Sequence, residues 1–304
     1  MDERTLLKEI EPVAADLLNR HLGVAKEWFP HEMVPYSRGK DFEPGKQWTQ
    51  NDSDFGADEI EMSDAVRGSL FVNLLTEDNL PYYFRDINSL FGNDGVYGEW
   101  GRNWTAEEGR HSIVIRDYLT VTRAIDPIAL ERGRMQQVRG GEVPAPLDLY
   151  EALAYLSMQE LATRIAHRNT GKMMHDEVGE AIMARVGNDE NLHYLFYRDL
   201  TTAAIAVDPS NMIIGIERAV RTFAMPGTGI PDFERLSREI ARVGIYDLLI
   251  HHDQILQPVV MRHWKLDQTT GLTDEAEKAR EALFKRIERI GKVGAKMASD
   301  RVSA

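Results

Sequence analysis

The chain has 304 residues, 43% of them hydrophobic and 28% charged, with a net charge of −13 and no cysteine. Without thiols it can hold no disulfide, zinc–thiolate site, cysteine nucleophile or iron–sulfur cluster, so any metal must sit on histidine and carboxylates. The acidic balance argues against general nucleic-acid binding, and no apolar run approaches the about 20 residues of a membrane span.

In chain order, the charged start MDERTLLKEIEP is unlike a secretion or transit signal, which leads to the expectation of a cytoplasmic protein. Apolar residues at three- and four-residue spacing predict helices over 4–20, 62–90, 105–122, 149–170, 177–207, 209–222, 233–256 and 273–297. Residues 28–60, with Pro30, Pro35 and Pro44, read as a long irregular surface segment, and MPGTGIPDF (225–233) as a second break. Alternating, strand-like runs are scarce. The expectation is one all-α domain over 1–304: a helix and irregular segment over 1–60, a four-helix bundle over 61–208, and additional helices over 209–304. Basic residues concentrate near the end, at Lys278, Arg280, Lys285, Arg286, Arg289, Lys292, Lys296 and Arg301, where the ordinary reading is a solvated helix face.

Two stretches share one spacing. EGRHSIVIRD (108–117) and ENLHYLFYRD (190–199) both read Glu-x-x-His followed by Arg-Asp, 82 residues apart. Residues three apart share a helix face, so Glu108/His111 and Glu190/His193 can each aim a carboxylate and an imidazole at one point. A bundle site of this kind takes one further Glu from each of two other helices. Glu77 and Glu160 lie among apolar neighbours, where an unpaired carboxylate would cost several kcal/mol. Asp78 competes for the first role and Glu151, more weakly, for the second. Four carboxylates and two imidazoles suit a dinuclear iron or manganese site. Pro81 removes the helical donor for the Glu77 carbonyl and points to a kink there or to a helix end near Leu80.

Other polar residues have plainer readings. Glu107 has no such phase partner and reads as a first-turn charge favoured by the helix dipole. His167 shares a face with Glu160, but a structural histidine is the favoured reading; His175, His251, His252 and His263 receive no role. Arg116, Asp117, Arg198 and Asp199 read as an ion-pair network under the site. ALAYLSM (152–158) reads as core, with Ala152 and Leu153 as alternatives for a pocket wall.

LLTEDNLPYYF, WTAEEGRH, MQELATRIAHRNTGK and NDENLH, with EWFPHEMVP, RVGIYD and RHWKLDQTTGLTDEAEKARE, resemble the soluble acyl-[acyl-carrier-protein] desaturases of plant plastids and actinobacteria, the actinobacterial branch most closely. The resemblance spans nearly the whole chain and implies a ferritin-like fold with two iron ions on Glu77, Glu108, His111, Glu160, Glu190 and His193. It also implies O₂-dependent insertion of a cis double bond into a saturated acyl chain on acyl carrier protein, with Thr163 beside the oxygen-binding side. Trp28, Asp189 and His111 match a trio that carries electrons from the surface. Ferredoxin as electron donor and a homodimer are implied as well. Gly109 stands where the family usually has Asn, and the segment between Glu77 and Glu108 is shorter than in the plant enzymes. The acidic carrier protein would need a local basic docking face, for which Lys278–Arg301 is one candidate.

Two other functions share the ligand pattern. A radical-generating ribonucleotide reductase subunit would place Tyr one turn beyond the first His, where this chain has Ile115, although Tyr197 stands beyond the second. A ferritin-like iron-binding or storage protein would have no use for the long C-terminal helices. A relative that keeps iron but lacks desaturase activity is a third reading.

Overall fold

The computed structural model describes residues 1–43, 45, 62–141, 143–225, 227, 229–230 and 232–302. In chain order the helices are α1 (Glu3–Val24), α2 (Pro30–Met33), α3 (Asp64–Glu77), α4 (Leu80–Phe91), α5 (Gly95–Val121), α6 (Pro127–Gly140), α7 (Leu149–Lys172), α8 (Glu177–Val207), α9 (Pro209–Thr222), α10 (Phe233–Arg242), α11 (Leu248–His251) and α12 (Asp274–Val302). α11 runs into a π-helical stretch, His252–His263, and no strand occurs among the described residues. None of these helices is long and apolar enough to cross a membrane.

Aspartates set several starts. Asp2, Asp148, Asp176 and Asp208 accept backbone N–H bonds at the heads of α1, α7, α8 and α9, satisfying donors that a helix start leaves free. The all-α, ferritin-like expectation holds, with differences at four places. The helix predicted over 62–90 is two: Asp78 and Asn79 close α3 through bonds to Leu74 and Thr76, and Pro81 occupies the first turn of α4. α5 begins at Gly95, ten residues before the predicted 105, because Gly98 passes so close to Asn93 that a Cβ would lie 1.9 Å from its carbonyl oxygen. α6 was not expected, since Gly133, Gly140 and its charges mask the periodicity. The helix predicted over 233–256 breaks after α10, where Gly244 takes φ +80°, and restarts at α11 with Asp247 capping Ile250. Of the irregular segment, α2 and a 3₁₀ turn at Tyr36–Arg38 are described, while Pro44 and 46–61 lie outside the described residues, as do Pro226, Thr228 and Pro231 of the second break.

α3, α5, α7 and α8 form the bundle, with α7 and α8 packed along most of their length. The apolar core divides in two. One cluster joins Trp100, Trp104, Met158, Phe196 and Leu200 to α1, α9 and α12; the other joins Leu74, Val114, Ile115, Ile182 and Val186 to α6 and α10. Along α5 and α8 the Glu-x-x-His residues fall between these clusters. The seam of the core is therefore polar and almost wholly buried.

Candidate metal centre

Glu77 is the last residue of α3, Glu108 and His111 lie mid-α5, Glu160 mid-α7, and Glu190 and His193 mid-α8; all six are buried, none more than 6% exposed. They form two overlapping groups: Glu77, Glu108, His111 and Glu190, and Glu108, Glu160, Glu190 and His193, with the ligand atoms of each within 4.8 Å of one another. Glu108 and Glu190 belong to both. The competitors are engaged elsewhere. Asp78 holds Arg134 through two bonds, at 2.6 and 3.0 Å, and Glu151 takes Leu147 N and Thr222 Oγ1.

Burial and mutual repulsion govern the charges. Burial lifts the Glu160 carboxyl well above the usual carboxylate range, and lifts Glu108 with help from the neighbouring Glu190 charge. Glu77 and Glu190 are held low despite burial, through hydrogen bonds from His111 and His167. Burial alone would keep the histidines neutral, but carboxylates raise His111 and His193 far above their ordinary value and push His167 up to about 9. Nδ1 of His193 is buried without a hydrogen bond, although oxygens of Glu108, Glu160 and Glu190 stand 2.9, 3.7 and 4.0 Å away. Such a set of oxygens and ring nitrogens, without sulfur, fits a pair of divalent cations in place of the shared protons.

Around the six, the structure both agrees with and departs from the sequence reading. Thr163, one turn after Glu160, donates to Oε2 of Glu190 at 3.0 Å. Trp28 Nε1 donates to Asp189 at 2.7 Å, Asp189 stands 3.5 Å from Nε2 of His111, and the Trp28 and His111 rings stack with centroids 6.4 Å apart, so the three residues expected to form a trio lie together. Trp104, missed by sequence, donates to Glu160 at 3.1 Å. His167, read as structural, stands against the cluster: its Nε2 lies 3.1 Å from Glu77 and 3.6 Å from Glu190. Glu107 needs a correction. It is not a first-turn charge, because α5 starts twelve residues before it. It turns inward, accepting from His193 Nε2 at 2.8 Å and His21 Nε2 at 3.1 Å, and those imidazoles hold it well below the usual carboxylate range against burial. Only the pairing of Glu107–Glu108 with Asp189–Glu190 in the repeat could have signalled this. The arginine–aspartate motifs belong to two ion-pair networks: Arg116 with Asp117 and Glu131, which Arg134 links to Asp78, and Arg198 with Asp199, which also holds Arg20 of α1.

A narrow cleft with about 630 Å³ of non-atom space, part of it open to solvent, reaches the carboxylates. Ile87, Leu90, Pro144, Pro146, Ala152 and Leu156 give it mostly apolar walls, and Glu77, Glu108, Glu160 and Glu190 line it at the centre. Ala152 is therefore wall; Leu153 is fully buried in the apolar core. On α12, Arg280, Lys285 and Lys292 pair with Glu277, Glu281 and Glu288, and Arg301 with Asp247, so much of the basic charge is balanced locally.

A ferritin-like helical bundle whose core carries buried glutamates and histidines able to hold metal is the class that fold and site define. Within it, the chain belongs to the fatty acid desaturase family, an oxidoreductase family whose sequence model matches residues 2–304. It is 41% identical over 286 residues to DesA1 of Mycobacterium tuberculosis, named for acyl-[acyl-carrier-protein] desaturation, with 91% of this chain and 83% of the relative covered. It is 30% identical to stearoyl-[acyl-carrier-protein] 9-desaturase 6, chloroplastic, of Arabidopsis thaliana, over 72% of this chain and 61% of that one. The fold matches the crystal structure of DesA2 from Mycobacterium tuberculosis with a TM-score of 0.70 at 22% identity, covering 90% of this chain and 99% of the other.

Proposed function

We propose that the chain is an acyl-[acyl-carrier-protein] desaturase that removes two hydrogens from adjacent carbons of a saturated acyl chain to leave a cis double bond. The observation that carries this is the apolar cleft ending on four buried carboxylates. The names of the relatives support the carrier-bound substrate. Glu77 with His111, and Glu160 with His193, would each hold one iron, with Glu108 and Glu190 shared between them. Bound there, the two irons would supply O₂ reduction and the oxidising power to take hydrogen from an unactivated C–H bond.

The residues do the rest. Ile87, Leu90, Ala152 and Leu156 hold the hydrocarbon against the centre and keep water from it. The Thr163 hydroxyl, on Glu190, is placed to hold a proton beside the oxygen side of the site. The overall balance takes one O₂, two electrons and two protons, and yields the alkene and two waters. Nothing in the sequence resembles a nicotinamide or flavin motif, which fits an outside electron source; the resemblance to the carrier-protein desaturases supplies a ferredoxin-type donor, with Trp28, Asp189 and His111 as the inward route. A homodimeric, cytoplasmic enzyme of fatty acid biosynthesis completes the reading.

The test incubates reduced, iron-loaded protein with stearoyl- and palmitoyl-carrier protein, ferredoxin, its reductase and O₂, and looks by mass spectrometry for loss of two hydrogens. A product two mass units lighter is expected. Iron-loaded protein that gives no product at any chain length would overturn the reading in favour of iron storage or radical generation.

A further inference from the structure

Each end of the cluster is backed by a carboxylate that stands one residue before a ligand glutamate on the opposite helix. Asp189, before Glu190 on α8, faces Nε2 of His111 on α5 at 3.5 Å. Glu107, before Glu108 on α5, accepts from Nε2 of His193 on α8 at 2.8 Å. The two carboxylates differ in what anchors them. Asp189 is held by the Trp28 indole and by Arg110 and Arg185. The Glu107 carboxylate has a second imidazole, His21 of α1, with its Nε2 3.1 Å from both oxygens. His21 is only 3% exposed, fixed by an edge contact with Trp100, ring centroids 5.0 Å apart, and by the His193 ring stacked at 5.9 Å.

A neutral imidazole carries one N–H. If Nε2 of His193 donates to Glu107, the lone pair is left on Nδ1, which faces Glu108, Glu160 and Glu190. Without Glu107 the ring could turn or take the other tautomer, and without His21 the Glu107 carboxylate loses its lateral hold. We propose that His21 and Glu107 are positioning residues for His193, so that metal held on the Glu160–His193 side of the centre depends on the N-terminal helix α1. The inference rests on the two-metal reading above and not on desaturation.

Anaerobic titration of the full-length protein with Co(II), followed by absorption and by metal content after gel filtration, tests it. Wild type should bind two ions per chain. His21→Phe and Glu107→Leu should keep one tight ion and bind the other about 10- to 100-fold more weakly, the usual effect of losing a partner of a ligand histidine. His21→Gln and Glu107→Gln, which keep a donor and an acceptor, should recover most of that affinity. Asp189→Leu should weaken the other position, and joined to Glu107→Leu should leave no tight ion. If Glu107→Leu fails to fold, His21→Phe decides alone. Two ions bound by His21→Phe as tightly as by wild type would overturn the proposal, and so would equal weakening of both ions in that variant. A wild-type chain that binds fewer than two ions would instead sink the two-metal reading itself.

Discussion

Two buried regions of this chain treat histidine in opposite ways. At the centre, His111, His167 and His193 are buried among four glutamates and are held above their ordinary pKa. In the groove between α3, α10 and α12, His251 is 6% exposed, packed 4.5 Å from the Phe223 ring with its Nδ1 on the Tyr246 hydroxyl, and burial drives it down to about 4. Burial acts the same way in both places. The difference is carboxylate, and it separates a cluster of groups that could hold a metal from a neutral packing residue.

The strongest way to break that contrast is to remove a shared carboxylate. Glu108→Ala should cut bound metal from about two per chain to one or none and reduce desaturation to background, read by metal analysis and product mass; full metal content would contradict the assignment. A second test uses pH on the metal-free protein. The His167 pKa is raised to about 9 in the fold. Its contribution is therefore complete below its unfolded value, about 6.5, and is lost as pH rises through 9, on the order of 3 kcal/mol. The urea midpoint should fall between pH 7 and 9.5, less so in His167→Gln; an equal fall in both would remove His167 as the cause.

His251 sharpens the contrast from the other side. Its folded pKa of about 4 lies below the unfolded value, so the unfolded chain takes up the proton first as pH falls from 6.5 towards 4. Stability should drop by about 2 kcal/mol by pH 5, and His251→Phe should flatten that acid limb in denaturant titrations. The smallest effect expected is for Tyr246→Phe, which removes the hydrogen bond to Nδ1 of His251 and should cost about 1 kcal/mol at neutral pH, seen as a modest fall in the unfolding midpoint. A loss confined to acid pH would show that the hydroxyl matters only for the charged ring.

The grouping of the six side chains at the centre was legible because it follows helix period. Glu108 with His111 and Glu190 with His193 share a spacing, and Glu77 and Glu160 betray themselves as carboxylates inside apolar runs. What escaped the sequence depended on contacts across it. His21 meets Glu107 only when α1 packs on α5 and α8, and Trp104 reaches Glu160 across from α5 to α7. Helix ends failed for local reasons: the glycines that hid the start of α5 permit close approach at Asn93, and Gly244 ends a pattern that otherwise runs on. Long amphipathic runs announce themselves, whereas breaks are decided by one or two residues whose neighbours the sequence does not name.

The interruption at Asp78 and Asn79 carries a consequence for how this architecture diversifies. Glu77 lies just upstream of it and Glu108 lies mid-α5, while α4, which supplies Ile87 and Leu90 to the cleft wall, hangs between. An insertion or deletion in that stretch can be absorbed at the break or at the Gly92–Asp94 turn without rotating either glutamate out of register. The cleft wall can thus change in length and contour while the two glutamates keep their places on α3 and α5.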